Sequence, residues 1–276
     1  MRADTLTLGW RTELIFARFD GEVTERDDYL VIRTPSNPTF WWGNFLLFGC
    51  APRAGDAARW LACFDAEITC RQAASRHLAF ALDTAAPFAL PCDFAAAGLT
   101  SYASSVLTMQ RAQLRTPRPV DATCYRIERL ALPAQAPLAV ALQVASDEGR
   151  HLPLDGPRGY RLFRERQMLR YGAMERAGLG HWFGVFTAEG DLVADCGLFS
   201  DGQVGRFQHV STHPAWRRRG LCSALVHAAC RHGFEAMGLG TLVIIADPDD
   251  VAIGLYESLG FVRAQSHWQI ERAPPP

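Results

Sequence analysis

Residues 210–223 read VSTHPAWRRRGLCS. A strand ending near Thr212 runs into a turn with three consecutive arginines, Arg217, Arg218 and Arg219, then Gly220, then the start of a helix. This order builds an anion site. Unpaired N–H groups at a helix N-terminus carry partial positive charge, glycine lets a ligand approach the backbone, and guanidinium groups add charge-assisted hydrogen bonds. A diphosphate suits such a site. The same residues also suit an exposed, arginine-rich helix start with no ligand, so the flanking sequence has to choose.

Upstream, CYRIERLAL (124–132) alternates like a strand and APLAVALQVAS (136–146) has helical character. Residues 160–174 set Tyr160, Phe163, Leu169 and Met174 among Arg and Glu, as an amphipathic helix does. HWFGVFTAEG (181–190) and DLVADCGLFSDG (191–202) are two strands joined by the turn-prone Glu189-Gly190-Asp191, a predicted hairpin. A further strand spans 207–212, and the helix beginning near Gly220 runs to Met237, where Gly238 or Gly240 ends it. TLVIIADP (241–248) is the continuous apolar run of a buried parallel strand. Asp249 or Asp250 caps the short helix VAIGLYESLG (251–260), and two short strands, near Phe261 and at HWQIER (267–272), close the chain. An antiparallel hairpin mixed with β-α-β crossovers makes the class α/β, or α+β with a mixed sheet.

Two motifs in this frame carry a resemblance. Arg217-x-x-Gly220-x-Cys222, after Thr212-His213-Pro214 and before Ser223-Ala224-Leu225, resembles the acetyl-CoA-binding motif of the GNAT superfamily of N-acetyltransferases. Ala252-x-x-Leu255-Tyr256-x-x-x-Gly260-Phe261 resembles that family's A-x-x-LY-x-x-x-GF signature, and the resemblance covers residues 122–272. It implies an acyl-CoA N-acyltransferase (GNAT) fold, acetyl-CoA as co-substrate and a primary amine as acceptor. It also implies that the backbone of Val210, Ser211 and Thr212 meets the pantetheine arm. The amides of Arg218, Arg219, Gly220, Leu221, Cys222 and Ser223 would then hold the pyrophosphate, with Arg217 adding side-chain contacts. Tyr256 stands where the family places the proton donor to the departing thiolate. Two positions depart from the pattern: Cys222 replaces the usual Gly or Ala, and Asp249 stands at a cofactor-contacting position where many members carry Asn.

The base that deprotonates the acceptor stays open. His209 titrates near neutrality, but strict alternation turns it away from the face of Gln208 and Val210 unless a bulge intervenes. A water chain, or a carboxylate such as Glu189 or Asp195, is the alternative. His213 reads as structural or solvent-facing. GRHLPLDGPRGYRLFRERQML (149–169) matches the family's variable acceptor wall, and its Arg158, Arg161, Arg164 and Arg166 read as a solvated helix face rather than a site for an acidic acceptor.

The seam RAQLRTPRPVDAT (111–123) divides the chain into residues 1–115 and 122–276. In the first part ELIFARF (13–19), YLVIRT (29–34) and WWGNFLLFG (41–49) read as strands and AGDAARWLACFDAEI (54–68) as a helix. HLAFALDT (77–84) reads as a strand, DFAAAGLTSY (93–102) as a short helix and SVLTM (105–109) as a closing strand. The order repeats that of 207–272 and suggests a diverged duplication: a degenerate GNAT-like or accessory domain in tandem with the acetyltransferase domain. Arg53-x-Gly55-x-Ala57 is one residue short of the cofactor motif and has a lone Arg beside Asp56, so this half is not expected to bind CoA. Phe40-Trp41-Trp42 reads as core, with the wall of an acceptor pocket as the alternative.

Composition narrows the partners. With 49% hydrophobic residues the chain can bury a core, and a formal net charge of −1 argues against gripping a nucleic-acid backbone or an anionic membrane. All 28 basic residues are Arg, so no lysine serves as Schiff base or phosphate clamp. The eight cysteines form no C-x-x-C pair, which points to a reducing compartment and to no metal site. The N-terminal residues lack a signal-peptide pattern and no apolar run reaches about 18 residues, so a soluble, cytoplasmic protein is expected. A homodimer is left open. So are a non-catalytic acyl-CoA-binding or scaffold protein and a transferase for a longer acyl-CoA.

Overall fold

A computed structural model describes residues 1–147 and 156–274. Residues 149–155 of the expected acceptor wall lie outside the described residues. In chain order the elements begin with α1 (Leu8–Asp20), β1 (Glu22–Glu25), β2 (Tyr29–Arg33), β3 (Phe45–Phe48), α2 (Ala57–Phe64), β4 (Leu78–Leu82), α3 (Cys92–Ala96) and β5 (Thr100–Gln110). They continue with β6 (Tyr125–Arg129), α4 (Ala136–Ser146), α5 (Gly156–Arg176), β7 (Gly180–Thr187), β8 (Leu192–Ser200) and β9 (Val204–Thr212). The last four are α6 (Leu221–Glu235), β10 (Thr241–Ala246), α7 (Ala252–Leu259) and β11 (Val262–Arg272). Contacts cluster these into two compact units, one of residues 1–106, 245–248 and 264–276, the other of 107–244 and 249–263. Among the described residues no helix is long and apolar enough to cross a membrane.

In the first unit β1, β2 and β3 pair antiparallel in turn, β3 runs parallel to β4, and β4 pairs antiparallel with Trp268–Arg272 of β11. A cut near 115 leaves the final strand with the second part of the chain; this pairing goes with the placement of residues 264–274 in the first unit. The predicted pair of short closing strands is one strand, β11. ELIFARF, expected as a strand, lies in α1, because Trp10, Leu14 and Ala17 are buried at helical spacing and the Trp10 indole N–H donates to Leu82 O at 2.9 Å. Residues 41–43 form a 3-10 turn before β3, and DFAAAGLTSY is helical only within Cys92–Ala96 before β5 begins at Thr100. Between β3 and β4, α2 buries Trp60, whose ring stacks on Phe48 at 3.7 Å. Trp41 stacks on His77, and Trp42 packs against Trp10 and Phe45, so the aromatic run is packing material of this unit.

In the second unit the strand order is β10-β9-β8-β7-β6, antiparallel from β6 to β9 and parallel between β9 and β10. Helices α4 and α5 pack on one face and α6 on the other. Side chains alternate accordingly. From β8, Leu198 reaches Gly233 of α6, while Phe199 stacks on Tyr171 of α5 and Asp195 meets Gln143 of α4. Gly197 is required here: a Cβ at that position would come within 2.5 Å of the Trp182 ring, which rests against β8 with its N–H aimed at Asp195.

Candidate functional site

The site grows out of two irregularities in β9. Its parallel register with β10 covers only Val204–Arg206 against Thr241–Val243, although β9 continues to Thr212. Among the described residues, the stretch beyond Arg206 therefore has no ladder partner on that edge, and its backbone groups are available to an extended ligand. On the opposite edge Gly197 pairs with Gln208 but Asp195 pairs with Ser211, so β9 holds one extra residue. That residue is His209, with φ of 43°, a β-bulge. The bulge breaks the alternation expected from sequence and brings Ser211, in place of Val210, onto the face of Asp195.

After β9, the Pro214–Trp216 3-10 turn leads to Arg218 at φ 61° and Gly220 at φ 77°, and α6 starts at Leu221. The left-handed Gly220 reverses the chain so that the first-turn amides of α6 stand exposed. Among the described residues the amides of 218–223 make no hydrogen bond, and the helical ladder begins with Ala224 N donating to Gly220 O at 3.0 Å. Apart from Arg219, these residues border a cavity of about 580 Å³, whose lining includes residues 209–212, Arg217, Arg218, residues 220–223 and Tyr256. Two expected cofactor residues are not in that lining. The Arg219 guanidinium lies 4.6 Å above the Trp216 ring, and Asp249 is exposed in the turn before α7. Its neighbour Asp250 does line the cavity and accepts from the backbone N–H of Ala252, the first residue of α7, at 2.9 Å.

Burial sets the protonation of the cavity's acids. Tyr256 is 4% exposed, and burial holds its phenol well above the usual tyrosine range, so it stays protonated. Burial also pushes the Cys222 thiol up to about 12, against a partly opposing contact with Thr212; it is a small neutral side chain in the first turn of α6 and not a nucleophile. Glu189 lies in the exposed hairpin turn, and hydrogen bonds with the backbone and Thr187 hold it below the usual glutamate range. His213 caps the 3-10 turn, its Nδ1 accepting from Ala215 N at 3.3 Å.

Asp195 is fully buried. Its Oδ2 accepts from Gln143 Nε2 at 2.7 Å and Trp182 Nε1 at 2.9 Å, and its Oδ1 accepts from Ser211 Oγ at 2.5 Å. Gln143 in turn accepts from Arg164 Nε at 2.7 Å, and Arg164 donates to Gln167 Oε1 at 2.7 Å. Burial raises the Asp195 carboxyl to about 6, while the three donors and Arg164 oppose the rise. Arg164, expected on a solvated helix face, is 4% exposed because it serves this network; the Arg158 side chain lies outside the described residues. Gln143, Ser146, Tyr160 and Trp216 also line the cavity, and no motif announced them. One signal did exist: Asp195 is an acidic residue in the otherwise apolar run 192–199, a position a strand buried on both faces keeps only with partners.

The corresponding place in the first unit is filled from within. Asp93 Oδ2 accepts from Gly55 N at 3.0 Å and Ala57 N at 3.1 Å, at the start of α2. The β3–β4 pairing holds from Leu46 to Phe48 and is extended by Asp83 N donating to Phe48 O at 2.8 Å, so these strands stay together where β9 and β10 part.

Residues 147–261 match the model of the acetyltransferase (GNAT) family. No curated protein sequence matches the chain. A functionally unknown conserved protein from Staphylococcus epidermidis is 13% identical, with TM-score 0.74 over 93% of this chain and 96% of its own. A GCN5-related N-acetyltransferase from Kribbella flavida is 17% identical, with TM-score 0.62 over 96% and 95%. A tandem GNAT protein from the clavulanic acid biosynthesis pathway is 14% identical, with TM-score 0.56 over 84% and 74%. The diverging strands, the left-handed glycine and the open first turn of α6 thus lie within the segment, residues 147–261, that matches the acetyltransferase (GNAT) family model.

Proposed function

We propose that the protein transfers an acetyl group from acetyl-CoA to a primary amine. The observation that carries this reading is the convergence on one cavity of the unpaired amides around Gly220, the unladdered stretch of β9 and the Tyr256 phenol. The amides of 218–223 and the Arg217 and Arg218 side chains suit the diphosphate of CoA, and the backbone of 210–212 suits its pantetheine arm. Arg219 and Asp249 stand outside the cavity lining and carry no part of this reading. Bound acetyl-CoA supplies an activated carbonyl. Tyr256, kept protonated by burial, hands its proton to the departing sulfur. His209 and Ser211 face the same cavity and are the groups that meet the acceptor's proton. Eight free cysteines suit a reducing, cytoplasmic setting.

Calorimetry with acetyl-CoA, together with CoA release against a panel of primary amines, tests the proposal. Tyr256→Phe should lower kcat by about 100-fold while leaving the acetyl-CoA Kd within about twofold. Binding of acetyl-CoA with no CoA release for any amine refutes the enzyme and leaves an acyl-CoA-binding protein.

A further inference from the structure

The geometry points to Asp195 as the final proton acceptor of the cavity, reached from the acceptor amine through the Ser211 hydroxyl. This inference rests on the acetyl-transfer reading and names the group that makes the amine nucleophilic.

Three observations carry it. First, the carboxylate is removed from water, and its Oδ2 is fully engaged by Gln143 and Trp182. Its Oδ1 faces the Ser211 hydroxyl, and Ser211 lines the cavity while Asp195 stands behind it. Second, the fold spends an irregularity to make this contact. Without the extra residue at His209, Ser211 would point to the α6 face and Val210 to Asp195; the bulge exchanges them. Third, the carboxylate's nearest positive charge, Arg164, reaches it through Gln143 rather than by direct pairing in the hydrogen bonds described above. A buried carboxylate held by neutral donors is costly as a structural element and well suited to taking up a proton.

The step balances without a further reactant. An N–H bond of the acceptor ammonium breaks and its proton passes to Ser211 Oγ, while the proton of Ser211 passes to Asp195 Oδ1. The amine is left neutral, Asp195 neutral and Ser211 unchanged. The groups facing Asp195 are Ser211 on β9, Gln143 on α4, Arg164 and Tyr160 on α5 and Trp182 on β7, with Cys196 next to it on β8. Of these Tyr160 and Cys196 are held protonated by burial and Arg164 stays charged, so the carboxyl is the member of this group that changes charge near neutral pH.

The test compares two acceptors. 1,4-Diaminobutane is almost wholly ammonium near neutral pH and needs a base; hydroxylamine is largely neutral there and does not. CoA release is followed from pH 5 to 9 for wild type, Asp195→Asn, Ser211→Ala and His209→Gly, with acetyl-CoA affinity measured in parallel. Glycine keeps the positive φ of the bulge and removes the imidazole. The relay predicts that Asp195→Asn and Ser211→Ala lose about 100-fold with diaminobutane and the acidic limb of its pH profile. Their hydroxylamine rates and acetyl-CoA affinities stay within about threefold of wild type. Equal losses with both acceptors mark a structural role and overturn the relay. So does loss of the limb in His209→Gly with retention in Asp195→Asn, which assigns the proton to the imidazole. Should Asp195→Asn fail to fold, Ser211→Ala decides alone by the same criteria. A wild type that binds acetyl-CoA but releases CoA with neither of these amines nor with any other of the primary-amine panel overturns the acetyl-transfer reading itself, and the relay with it.

Discussion

The buried Asp195 should leave a signature in stability even without ligand. Burial lifts its carboxyl from an ordinary 3.8 to about 6. The folded chain therefore holds this proton more tightly than the unfolded one. The resulting stabilisation is fully present below the unfolded value and is lost as pH rises through about 6. At 1.36 kcal/mol per unit the whole window amounts to about 3 kcal/mol, of which about 2 kcal/mol falls between pH 4.5 and 7.5. The perturbation is Asp195→Asn, which cannot titrate. Its amide satisfies the Ser211, Gln143 and Trp182 donors less well than the carboxylate, but that cost does not depend on pH and cancels when the two proteins are compared across pH. Thermal unfolding of both proteins at pH 4.5 and 7.5 reads the difference. Raising the pH should cost wild type about 2 kcal/mol more than the variant, or roughly 4 to 8 °C in Tm for a unit of this size. Parallel pH dependences would mean that the carboxyl titrates as an ordinary aspartate, and the burial argument would fail.

The cradle and the first unit give further tests. Gly220→Ala places a Cβ at φ 77°, a strain of about 1–2 kcal/mol, and should weaken acetyl-CoA binding about tenfold by calorimetry. Because Asp93 already occupies the amides of Gly55 and Ala57, the same titration should give one acetyl-CoA per chain; a second site of similar affinity would contradict this. Trp60→Ala removes a fully buried ring stacked on Phe48 and should destabilise the protein by about 3–5 kcal/mol in urea unfolding.

Much of the local frame around the candidate site was legible along the chain, because its parts are short-range. A glycine three residues after Arg217 and directly before an apolar helical pattern reads as the turn that opens a helix, and α6 starts directly after it. The hairpin of β7 and β8, the buried run of β10 and the Tyr256 helix are likewise written in local periodicity and turn residues. The misreadings share a cause. ELIFARF is apolar enough for a strand, and its helical register emerges only with Trp10, buried against the backbone of Leu82 more than seventy residues away. Arg164 looks solvated until Gln143 and Gln167 are seen to receive it.

By itself the sequence determined the local frame of the candidate cradle: an arginine-rich turn that ends at Gly220, the helix that carries Tyr256 and the strands that flank them, all set by neighbours within a few residues. Tertiary structure alone decided that β9 parts from β10 after Arg206, that the extra residue is His209, and that the last strand pairs with β4. Strand pairing and register are fixed by contacts between segments far apart in the chain, and a one-residue shift moves every later side chain to the other face. That shift is what sets Ser211 against a buried Asp195, and no local pattern could have foretold it.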